Sequence, residues 1–82
     1  MKVFCCKNQC PYGGGLILVA ANTIEEAFSV ASLDEDTNWL FYKMESGELV
    51  SDTYPINEWY EVEHLSTDLS EPQVIIEDHY SE

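Results

Sequence analysis

Arginine is absent from this chain of 82 residues, and lysine occurs only three times, against sixteen aspartates and glutamates. The net charge of −13 argues against direct binding to nucleic acid, because a phosphate backbone would be repelled. Long apolar runs are also missing. The longest spans Leu16 to Ala21, far short of the roughly 20 residues that cross a bilayer. No secretory leader is expected, since cysteines, Asn8, Gln9 and Pro11 interrupt the N-terminus before an apolar core could form. Cysteine is scarce and clustered. Cys5, Cys6 and Cys10 make an odd number within the first ten residues, whereas a secreted disulfide scaffold spreads its cysteines. Reduced thiols in a bacterial cytoplasm fit this pattern. There is no internal repeat, linker or compositional break, so residues 1–82 are expected to form a single domain.

What the chain does contain is apolar and aromatic. The hydrophobic fraction is 45%, and three phenylalanines, two tryptophans and five tyrosines set it apart from a disordered acidic tail. A globule of this length has a radius of gyration of roughly 12 Å. Its core is small, so each large apolar side chain carries weight. Charge is unevenly placed. Residues 1–24 hold Lys2, Lys7 and no acid, whereas residues 25–82 hold all sixteen acids and only Lys43, for −15.

The order of elements points to an α+β fold, with one helix packed on a small, mainly antiparallel sheet in β-β-α-β-β-β order. Residues 2–7 alternate as a strand. Asn8, Pro11 and the glycines 13–15 are turn chemistry. Residues 16–21 form a continuous apolar run suited to a strand buried on both faces, pairing with the first as a hairpin. Thr23 and Glu26 make a capping box. Ile24, Ala27, Phe28 and Ala31 follow at helical spacing, with Glu25 and Glu26 in the first turn, where the helix dipole favours anions. The helix is expected to end near Leu33. Residues 39–44 read as a third strand, 45–48 as a turn and Leu49-Val50 as the start of a return strand broken at Tyr54-Pro55. Residues 59–65 read as a further strand, 66–72 as a polar loop, 74–76 as a last short strand and 78–82 as a tail.

Four motifs carry candidate chemistry. Asp34, Asp36, Asn38 and Glu45 stand at positions 1, 3, 5 and 12 of a calcium loop, but Trp39 occupies position 6, where the sharp turn requires glycine. Cys5, Cys6 and Cys10 with His64 or His79 could ligate zinc, yet the spacing lacks paired C-x2-C, and adjacent strand residues point to opposite faces. The glycines after Tyr12 lack the lysine and the following helix of a phosphate loop. His64 beside Glu61 and Glu63, or His79 beside Asp78, forms no recognised catalytic constellation. The expectation is therefore a non-enzymatic chain with no catalytic residue, cofactor or metal.

The stretch Tyr12-Gly13-Gly14-Gly15 through Val19-Ala20-Ala21-Asn22, with Glu25-Glu26-Ala27 and Glu71-Pro72-Gln73-Val74-Ile75, resembles a family of short acidic proteins from gut bacteria and their phages. In size and charge the chain is also similar to phage anti-defence proteins, including anti-CRISPR inhibitors that mimic nucleic acid. The resemblance implies no residue roles. Taken with the acidity, it leads to the expectation of an inhibitor that occupies the basic groove of a nucleic-acid-binding protein. A base-free run of five acids in fourteen residues supplies the candidate contacts: Glu58, Glu61, Glu63, Asp68 and Glu71, with Trp59 and Tyr60 among them, since aromatics and acids together suit an arginine-rich surface. The alternative is a small regulatory or structural module that pairs through its sheet edge or aromatic surface, with itself as a homodimer or with a partner.

Overall fold

Apolar alternation in the N-terminal third builds the centre of the sheet. The computed structural model describes the backbone of residues 1–9 and 13–81 and the side chains of residues 1–9 and 14–75. Strand β1 (Lys2–Lys7) and strand β2 (Gly13–Ala21) pair antiparallel without interruption, from Lys2 opposite Ala21 to Lys7 opposite Leu16. The Asn8 amide closes the ladder on the Gly15 carbonyl at 3.1 Å. The expected turn residues Pro11 and Tyr12 lie outside the described residues, as does Cys10.

The glycines at 13–15 were expected in that turn and belong instead to β2. They pair with the last strand, β6 (Gln73–Ser81), from Gly13 opposite Ser81 to Gly15 opposite His79. Glycine has a weak intrinsic strand preference, and backbone pairing overrides it here. Gly15 sits at φ 97°, a region that a side chain disfavours. The same pairing corrects the expected tail. Beyond Val74 the backbone continues as strand to Ser81, because β2 offers it a second edge of hydrogen-bonding groups.

Strand β5 (Tyr60–Ser66) pairs antiparallel with the other edge of β1, giving the order β5-β1-β2-β6. The two apolar strands thus occupy the middle, where both faces are covered, and the edge strand β5 carries its carboxylates exposed to water.

Helix α1 (Ile24–Leu33) crosses one face of this sheet. Thr23 Oγ1 accepts from the Glu26 amide at 3.0 Å, as the capping box requires. The Glu26 carboxylate reaches back one residue further than expected, to the Asn22 amide at 2.8 Å. The apolar stripe faces inward. Ala27, Phe28 and Ala31 pack on Phe4 and Cys6 of β1 and on Ile17, Val19 and Ala21 of β2. The Cα radius of gyration is 12.2 Å.

The expected strand over residues 39–44 is mostly not one. Asn38–Leu40 is a 3-10 turn, and only Tyr42–Lys43 (β3) is extended, paired with Leu49–Val50 (β4). Local hydrogen bonds win over extension. Thr37 is fully buried and its hydroxyl donates to the Ala31 carbonyl at 2.6 Å. The Trp39 indole N–H donates to the Asp36 carbonyl at 3.0 Å. The β3–β4 turn is closed by the Gly47 amide on the Met44 carbonyl at 2.8 Å, with Gly47 at φ 89°. Ser51 then donates to the Leu40 carbonyl at 2.8 Å and accepts from the Tyr54 amide at 3.0 Å. This clamp delivers Phe41, Tyr54 and Trp59 into the core cluster.

Candidate functional site

The acids singled out in the sequence lie on consecutive exposed elements. Glu58 ends the short 3-10 turn Ile56–Glu58 that precedes β5, and Glu61 and Glu63 stand on β5 itself. Asp68 and Glu71 lie in the segment 67–72 that connects β5 to β6. All five are exposed. Because β5 and β6 are opposite edges of the sheet, that segment must pass across the ends of β1 and β2. Its start is pinned there: the Met1 amine donates to the Thr67 carbonyl at 2.7 Å, and the Thr67 amide to the Met1 carbonyl at 3.0 Å. The five carboxylates therefore follow one edge of the sheet and turn along one end.

One member of the candidate set differs in position from the rest. Trp59 is only 5% exposed and belongs to the core. Its ring meets Phe28 edge to face, and its N–H donates to the Tyr54 carbonyl at 2.9 Å. A buried indole is not offered to a partner, so the geometry removes Trp59 from the surface group. Tyr60, its neighbour on the alternating strand, is 46% exposed and stays in it. Tyr60 stands opposite Cys5 in the β1–β5 register, and its interaction with that thiol raises the phenol pKa above its ordinary 10.0.

Sequence reasoning found no base among these acids, yet the fold brings one. Lys2 Nζ lies 3.8 Å from Glu61 Oε1, both side chains being largely exposed. Residues so far apart in sequence meet only through the β1–β5 pairing, and no local pattern announces that contact. The N-terminal segment, basic in the sequence, thus partly neutralises one end of the acidic edge.

The candidate metal and catalytic motifs take definite places. Asp34 Oδ2 accepts from the Asp36 amide at 3.1 Å, a turn-forming contact just after the helix. Among the described residues, no group of three or more histidines, cysteines or acids is placed to hold a metal ion. Cys5 and Cys6 are both free and buried, and Cys6 packs in the helix-side cluster while Cys5 faces Tyr60 on the other side of the strand. Burial, then Cys5 and the Glu58 carboxylate, push the Cys6 thiol from 9.0 up to about 12. Such a thiol is protonated and unreactive at neutral pH. His64 is exposed on β5, and the His79 side chain lies outside the described residues. Among the described residues, no helix is long and apolar enough to cross a membrane.

A second set of exposed side chains lies on the 3-10 turn Asn38–Leu40 and the β3–β4 arm that follows it. Trp39 is 64% exposed, and Tyr42 and Met44 are each about half exposed. The Tyr42 hydroxyl contacts Asp52 Oδ1 at 3.3 Å, and the nearby carboxylate holds the phenol pKa above 10.0. No family, no curated protein and no solved structure matches this chain, so the functional reading rests on its own residues and their placement.

Proposed function

We propose that this domain is a non-enzymatic, protein-binding inhibitor that covers the basic, nucleic-acid-binding surface of another protein, in the manner of a phage anti-defence mimic. The observation that carries this reading is the exposed run of Glu58, Glu61, Glu63, Asp68 and Glu71 along one sheet edge and end. Carboxylates crowded in this way repel one another, and a partner's lysines or arginines relieve that repulsion. Scale supports the reading too. The molecule is 33 Å in its longest dimension, over which duplex DNA presents roughly nineteen charges. The excess of −15 in residues 25–82 is of that order.

The test is capture of partners from bacterial lysate at low and high salt, followed by competition with duplex DNA. Charge-driven association weakens steeply with ionic strength. A partner held equally well at high salt, and indifferent to DNA, would count against mimicry. The exposed Trp39, Tyr42 and Met44 favour a second reading, an interaction module that binds through this aromatic surface. Salt-independent binding lost on truncating Trp39 would select it.

A further inference from the structure

Strand β5 is an open edge of unusual character. It pairs with β1 on one side only, and among the described residues no strand covers its other side. Natural sheets protect such edges with lysine, proline or short length. β5 runs for seven residues, Tyr60 to Ser66, and contains neither lysine nor proline. Its protection is anionic. Glu61 and Glu63 are exposed on the strand, Glu58 precedes it and Asp68 follows it. Two copies of this chain, each at −13, would set carboxylate against carboxylate if they paired here. An extended segment carrying lysine or arginine meets no such penalty. The exposed rings and methyls of Tyr60 and Leu65 give its aliphatic stems a surface to lie on.

We infer that the outer edge of β5 accepts an extended, basic segment of polypeptide as an additional strand. The main chain supplies the hydrogen bonds, and Glu58, Glu61, Glu63 and Asp68 select for positive charge. This rests on the reading that the partner is a basic protein, and it specifies how that protein is held. The register shifts between the Phe4–Glu61 and Lys2–Ser66 pairs, so β5 carries extra residues there and bends locally, and an incoming strand would pair over a short stretch rather than a long ladder.

The test uses the full chain and two synthetic peptides, both acetylated and amidated. One has the sequence KTKTKTK. The other is identical but N-methylated at every residue, which keeps every charge and removes the hydrogen-bond donors of both peptide edges. Affinity is measured by calorimetry, and amide exchange is followed across residues 60–66. The inference expects the N-methylated peptide to bind at least ten-fold more weakly, with slowed exchange at alternate amides of β5 in the presence of the unmodified peptide only. The double variant Glu61→Gln, Glu63→Gln, chosen because neither side chain is buried, should weaken the unmodified peptide while leaving the melting temperature near that of the parent. Equal, salt-sensitive affinity for both peptides would overturn edge pairing and leave the basic-partner reading standing. Concentration-dependent dimerisation that protects the same amides would replace the peptide with a second copy and overturn the inference as well. Failure of both peptides to bind, with no salt-sensitive capture from lysate, would overturn this inference and the reading beneath it together.

Discussion

Trp59 and Phe28 meet edge to face, with ring centroids 6.3 Å apart and an interplanar angle of 80°. This contact ties the chain just before β5 to the middle of the helix, and Phe28 in turn meets Phe41 at 5.1 Å. The acidic edge is therefore built outward from a core aromatic: Trp59 points in, and Glu58 and Tyr60 on either side point out.

Truncation should separate the two tryptophans. Trp59→Ala removes a buried ring and an indole hydrogen bond, and is expected to lower stability by about 3–5 kcal/mol, a large part of what a domain of this size has. Trp39→Ala removes a mostly exposed ring and should cost less than about 1 kcal/mol. Urea denaturation midpoints measure both. Similar losses at the two positions would contradict the assigned burial.

The capping box makes a smaller, local prediction. Thr23→Ala deletes the acceptor for the Glu26 amide and should lower stability by about 1 kcal/mol with an unchanged denaturant slope. Glu26→Ala should cost less, because the Asn22 amide it releases is exposed to water.

Charge reversal on the edge should affect binding far more than folding. Glu61 is paired with Lys2 across exposed side chains, and such pairs contribute about 0–1 kcal/mol. Glu61→Lys combined with Glu63→Lys should therefore leave the fold intact, shown by unchanged circular dichroism and cooperative melting. The same variant should weaken a basic partner strongly at low salt and little at high salt. If a partner is found and neither the reversal nor salt changes its affinity, the aromatic β3–β4 arm becomes the interface to truncate.

Cys6 carries a pH dependence of defined sign. Its folded pKa, about 12, lies above the ordinary 9.0, chiefly from burial. The native state thus holds the thiol proton more tightly than the unfolded chain does. Its contribution to stability is complete below about pH 9 and is lost as pH rises toward 12. Denaturation midpoints should fall over that interval in the parent and fall less in Cys6→Ala, which lacks the group. Thiol-modifying reagents should react with Cys6 at pH 8 only as fast as the protein opens.

Local pattern determined the elements that depend on neighbours in sequence. The helix bounds follow from Thr23, Glu26 and the Ile24-Ala27-Phe28-Ala31 stripe, because caps and amphipathic spacing act within one or two turns. The β1–β2 hairpin follows from two apolar runs flanking a turn, and the helix-on-sheet class from their order. The excess of acid was likewise legible as a total. Tertiary structure decided everything that rests on pairing between distant segments. It made strand of Gly13–Gly15 and of the C-terminal residues, since each backbone supplied the other's hydrogen bonds. It turned residues 38–40 into a 3-10 turn around the buried Thr37. It sent Trp59 inward and left Trp39 outside, though the two side chains are chemically identical, because only Trp59 is delivered to the helix face by the Ser51 clamp. It also placed Lys2 beside Glu61, and set Glu58, Glu61 and Glu63 along one edge of the sheet and Asp68 and Glu71 along the adjoining end. Composition alone says how many carboxylates a chain has, and strand order says which of them lie along the same edge of the sheet.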